Sequence, residues 1–501
     1  MTLGSPTNVY PAVYFKSQVN RHAGNPFIEA QPELLPSLNQ YLGKLKNSPP
    51  KPTAKDRKKG DMYRVMELPI LSDIVYPFPE FAKAGAVLAT LSRECYVARH
   101  PLKELDLIRR HAIASGEAVG SDRFPSNWKS SAQGHIIVAC SGMGKTTFLD
   151  AFLLEQKQVI KHTSYHGKPL NCYQVTYIKL RIPHDGTLKG LCVLFFLEVD
   201  RLLGTPYAKQ ARAARTITGM VQLMNEVATA ISLGFLVVDE LQNLSVARGG
   251  HAQFVLNLFI EIIEGLGISL VTLATPAVEA VLEKSIRNTR KILTMGQTTF
   301  PLMEADDNMW DQFCDELWEY TFTKKHGRLT RDIRNAWHRA SAGNTAFASV
   351  AFGLAQRHAI GSTEVVDTDS FAEVLETDMA FLMPAINALN SGNPDAISRF
   401  DDLMFSKEFK ALRKQLGYFS PGRTQAASGD DSDRDVPDGA GQEFDEVVNA
   451  QEEDASGKGD EADAGKAGKS DKVPKAKKGT SNTANSSLAV IPFPIEDPMA
   501  P

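Results

Sequence analysis

Eight consecutive residues, Ala139-Cys140-Ser141-Gly142-Met143-Gly144-Lys145-Thr146, combine backbone freedom, one ammonium and one hydroxyl in a spacing that suits a polyphosphate. Gly142 and Gly144 let the chain turn so that several N–H groups converge on phosphate oxygens. The lysine of such a loop reaches the β- and γ-phosphates, and the hydroxyl after it ligates Mg2+. Ser141, Gly142, Met143, Gly144, Lys145, Thr146 and Thr147 are therefore read as binding ATP. A second constellation, Phe235-Leu236-Val237-Val238-Asp239-Glu240, is an apolar run that ends in two acids. Asp239 is read as holding Mg2+ beside Thr146, and Glu240 as the general base for the attacking water. Thr275, at the end of the next apolar run, can sense the γ-phosphate or position that water. Arg287 and Arg290 are three apart on a predicted helix and share one face. Either could complete a neighbouring subunit's site as an arginine finger.

Such groups work only if the chain delivers them to one place. A short apolar strand at 135–139 precedes the loop and a helix at 145–157 follows it, which is the order the mechanism requires. Further strands are predicted at 175–181, 235–238 and 269–274, with helices at 188–203, 220–232 and 252–265 between and after them. Strands alternating with helices of this length indicate an α/β fold with a parallel sheet covered on both faces. A buried parallel strand delivers its C-terminal residues to the sheet edge where ligands sit, which is where Asp239 falls.

The domain reading is fourfold. Residues 1–60, rich in Pro, Asn, Gln and Lys, read as an extended arm with a short docking motif at 25–29. Residues 61–305 hold the nucleotide-binding α/β domain and preceding helices. From about 306 to 420 the β pattern is replaced by helices at 310–322, 330–341, 345–358, 370–390 and 394–416, a helical lid domain. Residues 421–501 read as a disordered tail: 430–463 contains fourteen acidic residues against two basic ones, and 466–478 six lysines against one aspartate. Such blocks cannot bury enough apolar surface to order themselves. The apolar, proline-punctuated stretch at 488–495 resembles a linear docking peptide.

Formal net charge over 501 residues is −4, so the whole chain does not advertise nucleic-acid binding. Five cysteines, none in a CxxC pair or with zinc-ligand spacing, read as reduced thiols. With no signal-peptide run and no stretch of about 18 apolar residues, the expectation is a cytoplasmic protein with no membrane partner.

Several strings, in order, resemble the TnsC family, the AAA+ ATPases that regulate target choice in Tn-seven-type transposons, and more distantly TniB and the phage Mu target-selection ATPase. They are Asn25-Pro26-Phe27-Ile28-Glu29-Ala30, Cys95-Tyr96-Val97-Ala98-Arg99-His100-Pro101, the loop at 140–147, Tyr177-Ile178-Lys179-Leu180 with the turn at 184–189, Asp239-Glu240-Leu241-Gln242-Asn243-Leu244-Ser245, Thr275-Pro276, and Trp337 through Ala342-Gly343. They span about residues 20 to 415. Ala274 and Ala342 depart from the family pattern, and the tail has no counterpart in it. The resemblance implies ATP-dependent rings or filaments around double-stranded DNA. These receive a target-site selector or CRISPR-guided complex and recruit the transposase. It also implies that Tyr96 and Arg99 lie beside the nucleotide base. DNA contact would come from cations facing a central pore, with Lys179, Arg181, Lys189, Lys209, Arg212 and Arg215 as candidates. The acidic tail could compete for that pore. A nucleotide-switched signalling ATPase that binds proteins and not DNA, and a scaffold that barely hydrolyses ATP, are the alternatives.

Overall fold

Gly134–Ala139, Phe235–Asp239 and Ser269–Ala274 are buried along their whole length, as strands covered on both faces must be. The structure, a computed structural model, describes residues 9–117, 121–214, 216–247, 250–397 and 400. Its strands are β1 (Val9–Pro11), β2 (Gly134–Ala139), β3 (Val159–Tyr165), β4 (Lys168–Val175), β5 (Tyr177–Arg181), β6 (Phe235–Asp239), β7 (Ser269–Ala274) and β8 (Gln297–Phe300). The main sheet runs β5-β6-β7-β2-β8 with every pair parallel, and a second sheet runs β1-β3-β4. The expected strand at 175–181 is two: β4 ends at Val175 and β5 begins at Tyr177, so the chain passes from one sheet to the other there. The β3–β4 hairpin turns through His166 and Gly167, both at positive φ.

The N-terminal helices are α1 (Pro26–Glu29), α2 (Leu38–Leu45), α3 (Asp61–Glu67), α4 (Pro79–Val97) and α5 (Glu104–Ala114). The segment read as an extended arm is built into the fold instead. Phe27 is fully buried, and its ring lies 5.2 Å from Tyr96 and 5.3 Å from His162. Asn25 caps α1 by accepting from Phe27 N–H, and its Nδ2 donates to Tyr96 O at 2.7 Å. The buried Glu29 carboxylate accepts from the Tyr165 hydroxyl at 2.6 Å and from Gly24 N–H at 2.8 Å. Asn25 through Ala30 is thus an internal strut, because leaving Phe27 and Ile28 in water would forfeit about 1.5–3 kcal/mol each. α4 packs across β2, β6, β7 and β8.

Around the sheet lie α6 (Lys145–Leu154), α7 (Leu188–Leu203), α8 (Tyr207–Ala213), α9 (Ile217–Ala230), α10 (His251–Ile260), α11 (Glu279–Leu282) and α12 (Ile286–Ile292). The helical region contains α13 (Asn308–Trp318), α14 (Arg331–Ser341), α15 (Thr345–Ala359), α16 (Thr368–Glu376), α17 (Met383–Ser391) and α18 (Pro394–Ile397). The single helix expected at 370–390 is broken between α16 and α17. Pro384 lacks the amide proton and its ring excludes the carbonyl four residues back, so it can start a helix but not continue one. Fully buried Trp337 organises this region: its ring stacks 4.8 Å from Phe352 and 5.3 Å from Phe371, and Nε1 donates to Ala348 O at 2.9 Å. Arg215, most of the helix expected at 394–416 and the tail lie outside the described residues.

A strap, residues 46–76, leaves the α/β body and crosses the helical region. Lys46 and Ser48 bond Glu316, the Tyr320 hydroxyl donates to Pro49 O, and the Tyr76 hydroxyl donates to Gln312. Its anchor is Arg64, fully buried, whose Nη1 and Nη2 each meet a Glu364 oxygen at 2.7 Å. The Glu364 carboxyl is held far below the usual carboxylate range, chiefly by that guanidinium.

Candidate active site at the phosphate loop

β2 ends at Ala139, and the loop that follows turns through Gly142 (φ 86°) and Gly144 (φ 75°) before α6 begins at Lys145. A Cβ on Gly142 would sit 2.6 Å from Asn344 Oδ1 and 2.9 Å from the Ala346 Cβ, so only glycine lets the loop and the helical region approach this closely. The Lys145 ammonium donates to Ala139 O at 2.6 Å and to Cys140 O at 3.1 Å.

β6 lies two strands from β2 in the same sheet and ends level with this loop. Thr146 Oγ1 is 3.3 Å from Asp239 Oδ2, and Asp239 Oδ1 accepts from Glu240 N–H at 2.8 Å. Glu240 is held at φ 61°, a left-handed backbone rare outside glycine and asparagine, at the corner where β6 ends. One Glu240 carboxylate oxygen accepts from Gln242 Nε2, and the other lies 3.5 Å from Arg181. Gln242 Oε1 in turn accepts from Thr275 N–H at 3.1 Å. Gln242 therefore ties the Glu240 carboxylate to the end of β7, where Thr275 sits.

These groups line one cavity of about 530 Å³. Ser141, Gly142, Gly144, Lys145, Thr146, Thr147, Asp239, Glu240, Gln242 and Thr275 form one wall. Leu71, Ser72, Ile74, Val75 and Tyr76 of the strap line the cavity as well, with Phe78 just beyond, and α15 contributes Thr345, Ala346, Ser349 and Val350. Met143 is buried behind the loop. The α15 N-terminus is bonded to the outside of the phosphate loop: Asn344 Nδ2 donates to Ser141 O at 2.8 Å, Thr345 Oγ1 to Gly142 O at 2.6 Å, and Ala346 N–H to Gly142 O at 3.1 Å.

Tyr96 and Arg99 are not in this cavity. The Tyr96 hydroxyl donates to Ser232 O at 2.8 Å, and Arg99 Nη1 donates to Leu233 O at 2.8 Å. Ser232 and Leu233 precede β6, whereas Asp239 ends it, which puts the two residues at the far edge of the sheet, about 15–20 Å away. Both are buried, with the Arg99 guanidinium 4.7 Å over the Tyr96 ring, and burial pushes the Tyr96 phenol far above its ordinary value. Their place beside the base, expected from resemblance, is corrected: they lock the strut at 25–30 to the sheet. Leu71, Ile74, Val75, Tyr76 and Phe78 give this cavity an apolar stretch of lining. Sequence reasoning missed this stretch because an apolar run interrupted by Pro77 has no local mark of a binding site. Asn344 did carry a signal, as a cap residue directly after Gly343.

Arg287 and Arg290 are exposed on α12 and do not line this chain's own cavity. Among the proposed DNA contacts, Lys179 pairs with Asp150 at 2.5 Å and Arg181 with Glu240, while Lys189, Lys209 and Arg212 are exposed.

Residues 129–282 match the family AAA_22 (AAA domain). Comparison with curated proteins gives no match. Among solved structures, the Aeropyrum pernix ORC1 protein, solved in complex with DNA, is 15% identical over 65% of this chain and 82% of its own (TM-score 0.33). The Walker-type ATPase paby2304 of Pyrococcus abyssi is 12% identical over 58% and 78% (TM-score 0.32). A mutant of Thermotoga maritima RuvB is 13% identical over 64% and 88% (TM-score 0.29). The α/β body is an AAA+ P-loop fold followed by a helical region, and its chemistry is ATP hydrolysis. No helix among the described residues is long and apolar enough to cross a membrane.

Proposed function

We propose that this ATPase uses its nucleotide cycle to assemble on duplex DNA and regulate DNA transposition, linking a target-site selector to a transposase. What supports the catalytic part is the convergence, in one cavity, of the phosphate loop, the Thr146–Asp239 pair and Glu240. What supports the DNA and transposition part is the ordered set of strings shared with the TnsC family.

ATP enters with its base against Leu71–Phe78 and its phosphates along the loop N–H groups and the start of α6. Lys145 leaves its two carbonyl partners to meet the β- and γ-phosphates. Thr146 Oγ1 and Asp239 Oδ2 are hard oxygen donors, which suits Mg2+, an ion that takes few protein ligands and completes its shell with phosphates and water. Bound there, Mg2+ supplies charge neutralisation between the phosphates. Glu240 accepts the proton of the attacking water as the Pγ–O bond to ADP breaks, while Thr275 orients that water. Arg287 or Arg290 of a second copy reaches the γ-phosphate, so the site is complete only in an oligomer.

ATPase rates with and without duplex DNA, for wild type and Lys145→Ala, test the reading. A rate that rises on adding DNA and vanishes in Lys145→Ala supports it. A rate indifferent to DNA, with no ATP-dependent DNA binding, favours a signalling ATPase that binds proteins only.

A further inference from the structure

Two basic runs, far apart in sequence, meet where the strap crosses the helical region. Residues 49–60 hold five cations, Lys51, Lys55, Arg57, Lys58 and Lys59, against one acid, Asp56. Residues 323–330 hold Lys324, Lys325 and Arg328 and no acid. Buried Arg64 joins the runs end to end, since its Nε donates to Lys59 O and its Nη1 to Phe322 O, both at 3.1 Å. Arg57 Nε adds a bond to Thr321 O at 2.8 Å. Within the second run, the His326 pKa is lowered, first by burial and then by the Arg57 charge, with Glu319 opposing.

Local acids account for only part of this charge. Lys59 meets Asp56 at 2.9 Å and Glu67 at 3.3 Å, and Lys324 meets Glu364 at 3.1 Å. Lys55, Lys58, Lys325 and Arg328 are exposed and make no ion pair among the described residues. These four side chains leave unpaired positive charge on this surface.

We infer that this strap–lid surface binds the phosphate backbone of duplex DNA; the inference rests on the DNA-binding reading above. Flexible lysines on two adjoining loops suit point contacts to successive phosphates, which position a protein on DNA without reading its bases. Neither run contains Phe, Tyr or Trp, the residues on which unpaired bases stack. The same strap lines the nucleotide cavity through Leu71, Ile74, Val75 and Tyr76, so DNA held here touches an element of the nucleotide site.

The test is a titration of full-length protein with a short blunt duplex at several salt concentrations, in the presence of a slowly hydrolysed ATP analogue. Wild type is compared with the combined variant Lys55→Ala, Lys58→Ala, Lys325→Ala, Arg328→Ala and with its charge-keeping counterpart, Lys→Arg at the lysines and Arg328→Lys. Each phosphate contact removed lowers the slope of log affinity against log salt by about 0.9. Between about 50 and 200 mM salt, wild type is therefore expected to lose on the order of 100-fold more affinity than the alanine variant. The charge-keeping variant is expected to follow wild type. Equal affinity and slope in wild type and the alanine variant would overturn the inference while leaving the DNA reading intact. So would loss in the charge-keeping variant, which would trace the effect to folding. A wild type that binds no duplex at all would overturn the DNA reading itself.

Discussion

Replacing Asn344 by aspartate separates two jobs that one side chain performs. Its Oδ1 caps α15, accepting from Ala346 N–H at 3.1 Å and Phe347 N–H at 3.3 Å, and its Nδ2 donates to Ser141 O at 2.8 Å. Aspartate caps a helix as well as asparagine does, so α15 survives. The donor, however, becomes an oxygen facing a carbonyl oxygen at a fully buried position. Leaving such acceptors unmatched costs about 1–3 kcal/mol. The cost falls on the phosphate loop, because the bond to Ser141 O helps hold that carbonyl outward while the N–H groups face the cavity. Asn344→Asp is therefore expected to weaken ATP binding by about 5- to 150-fold, with little change in helix content. Thr345→Val, which removes the bond to Gly142 O without changing side-chain shape, is expected to act in the same direction, and Thr345→Ser to restore binding. Titration with a fluorescent ATP analogue, alongside circular dichroism, reads both quantities. Unchanged affinity in Asn344→Asp and Thr345→Val would refute the idea that the helical region organises the loop.

Further outcomes follow from the same geometry. Glu240→Gln is expected to keep ATP binding and lose about 10²- to 10⁴-fold in turnover; Gln242→Leu should lower turnover with little effect on ATP affinity, because it frees the Glu240 carboxylate without touching the phosphate loop. Glu364→Gln should destabilise the strap by about 1–3 kcal/mol, since Arg64 loses one of its two carboxylate partners and keeps Asp61, measured by thermal unfolding. Fully buried His162 accepts from the Tyr14 hydroxyl and faces the Gln174 carboxamide, and burial lowers its pKa from 6.5 to about 4. Between those values the unfolded chain holds the proton and the folded one does not. Stability from this group is thus complete above pH 6.5 and falls by about 1.4 kcal/mol per unit as pH drops towards 4; His162→Gln should flatten that part of the unfolding-versus-pH curve.

The parallel sheet and phosphate loop were legible because local signals and mechanism agree there. A short apolar run directly before Gly-x-Gly-Lys-Thr reads as the strand that a phosphate loop needs, so local pattern and mechanism point the same way. Asp239 and Glu240 follow from the same pattern, and both line the cavity. The cavity's apolar stretch was not legible, since Leu71–Phe78 reaches the site only through contacts such as Arg64–Glu364, 300 residues apart in sequence. Motifs shared with a family point to importance but not to location. Tyr96 and Asn25, read as a base contact and part of a docking motif, bond to each other inside the fold. Composition misled in the strap as well, where proline and lysine read as an arm although buried Arg64 and the chain around it make a fixed crossing.

Imaging of the purified protein with linear duplex DNA, with and without a slowly hydrolysed ATP analogue, tests the central claim most directly. The expected result is rings or filaments on DNA that require the nucleotide and are lost in Lys145→Ala. A DNA-bound assembly that forms without nucleotide, or none under any condition, would contradict it.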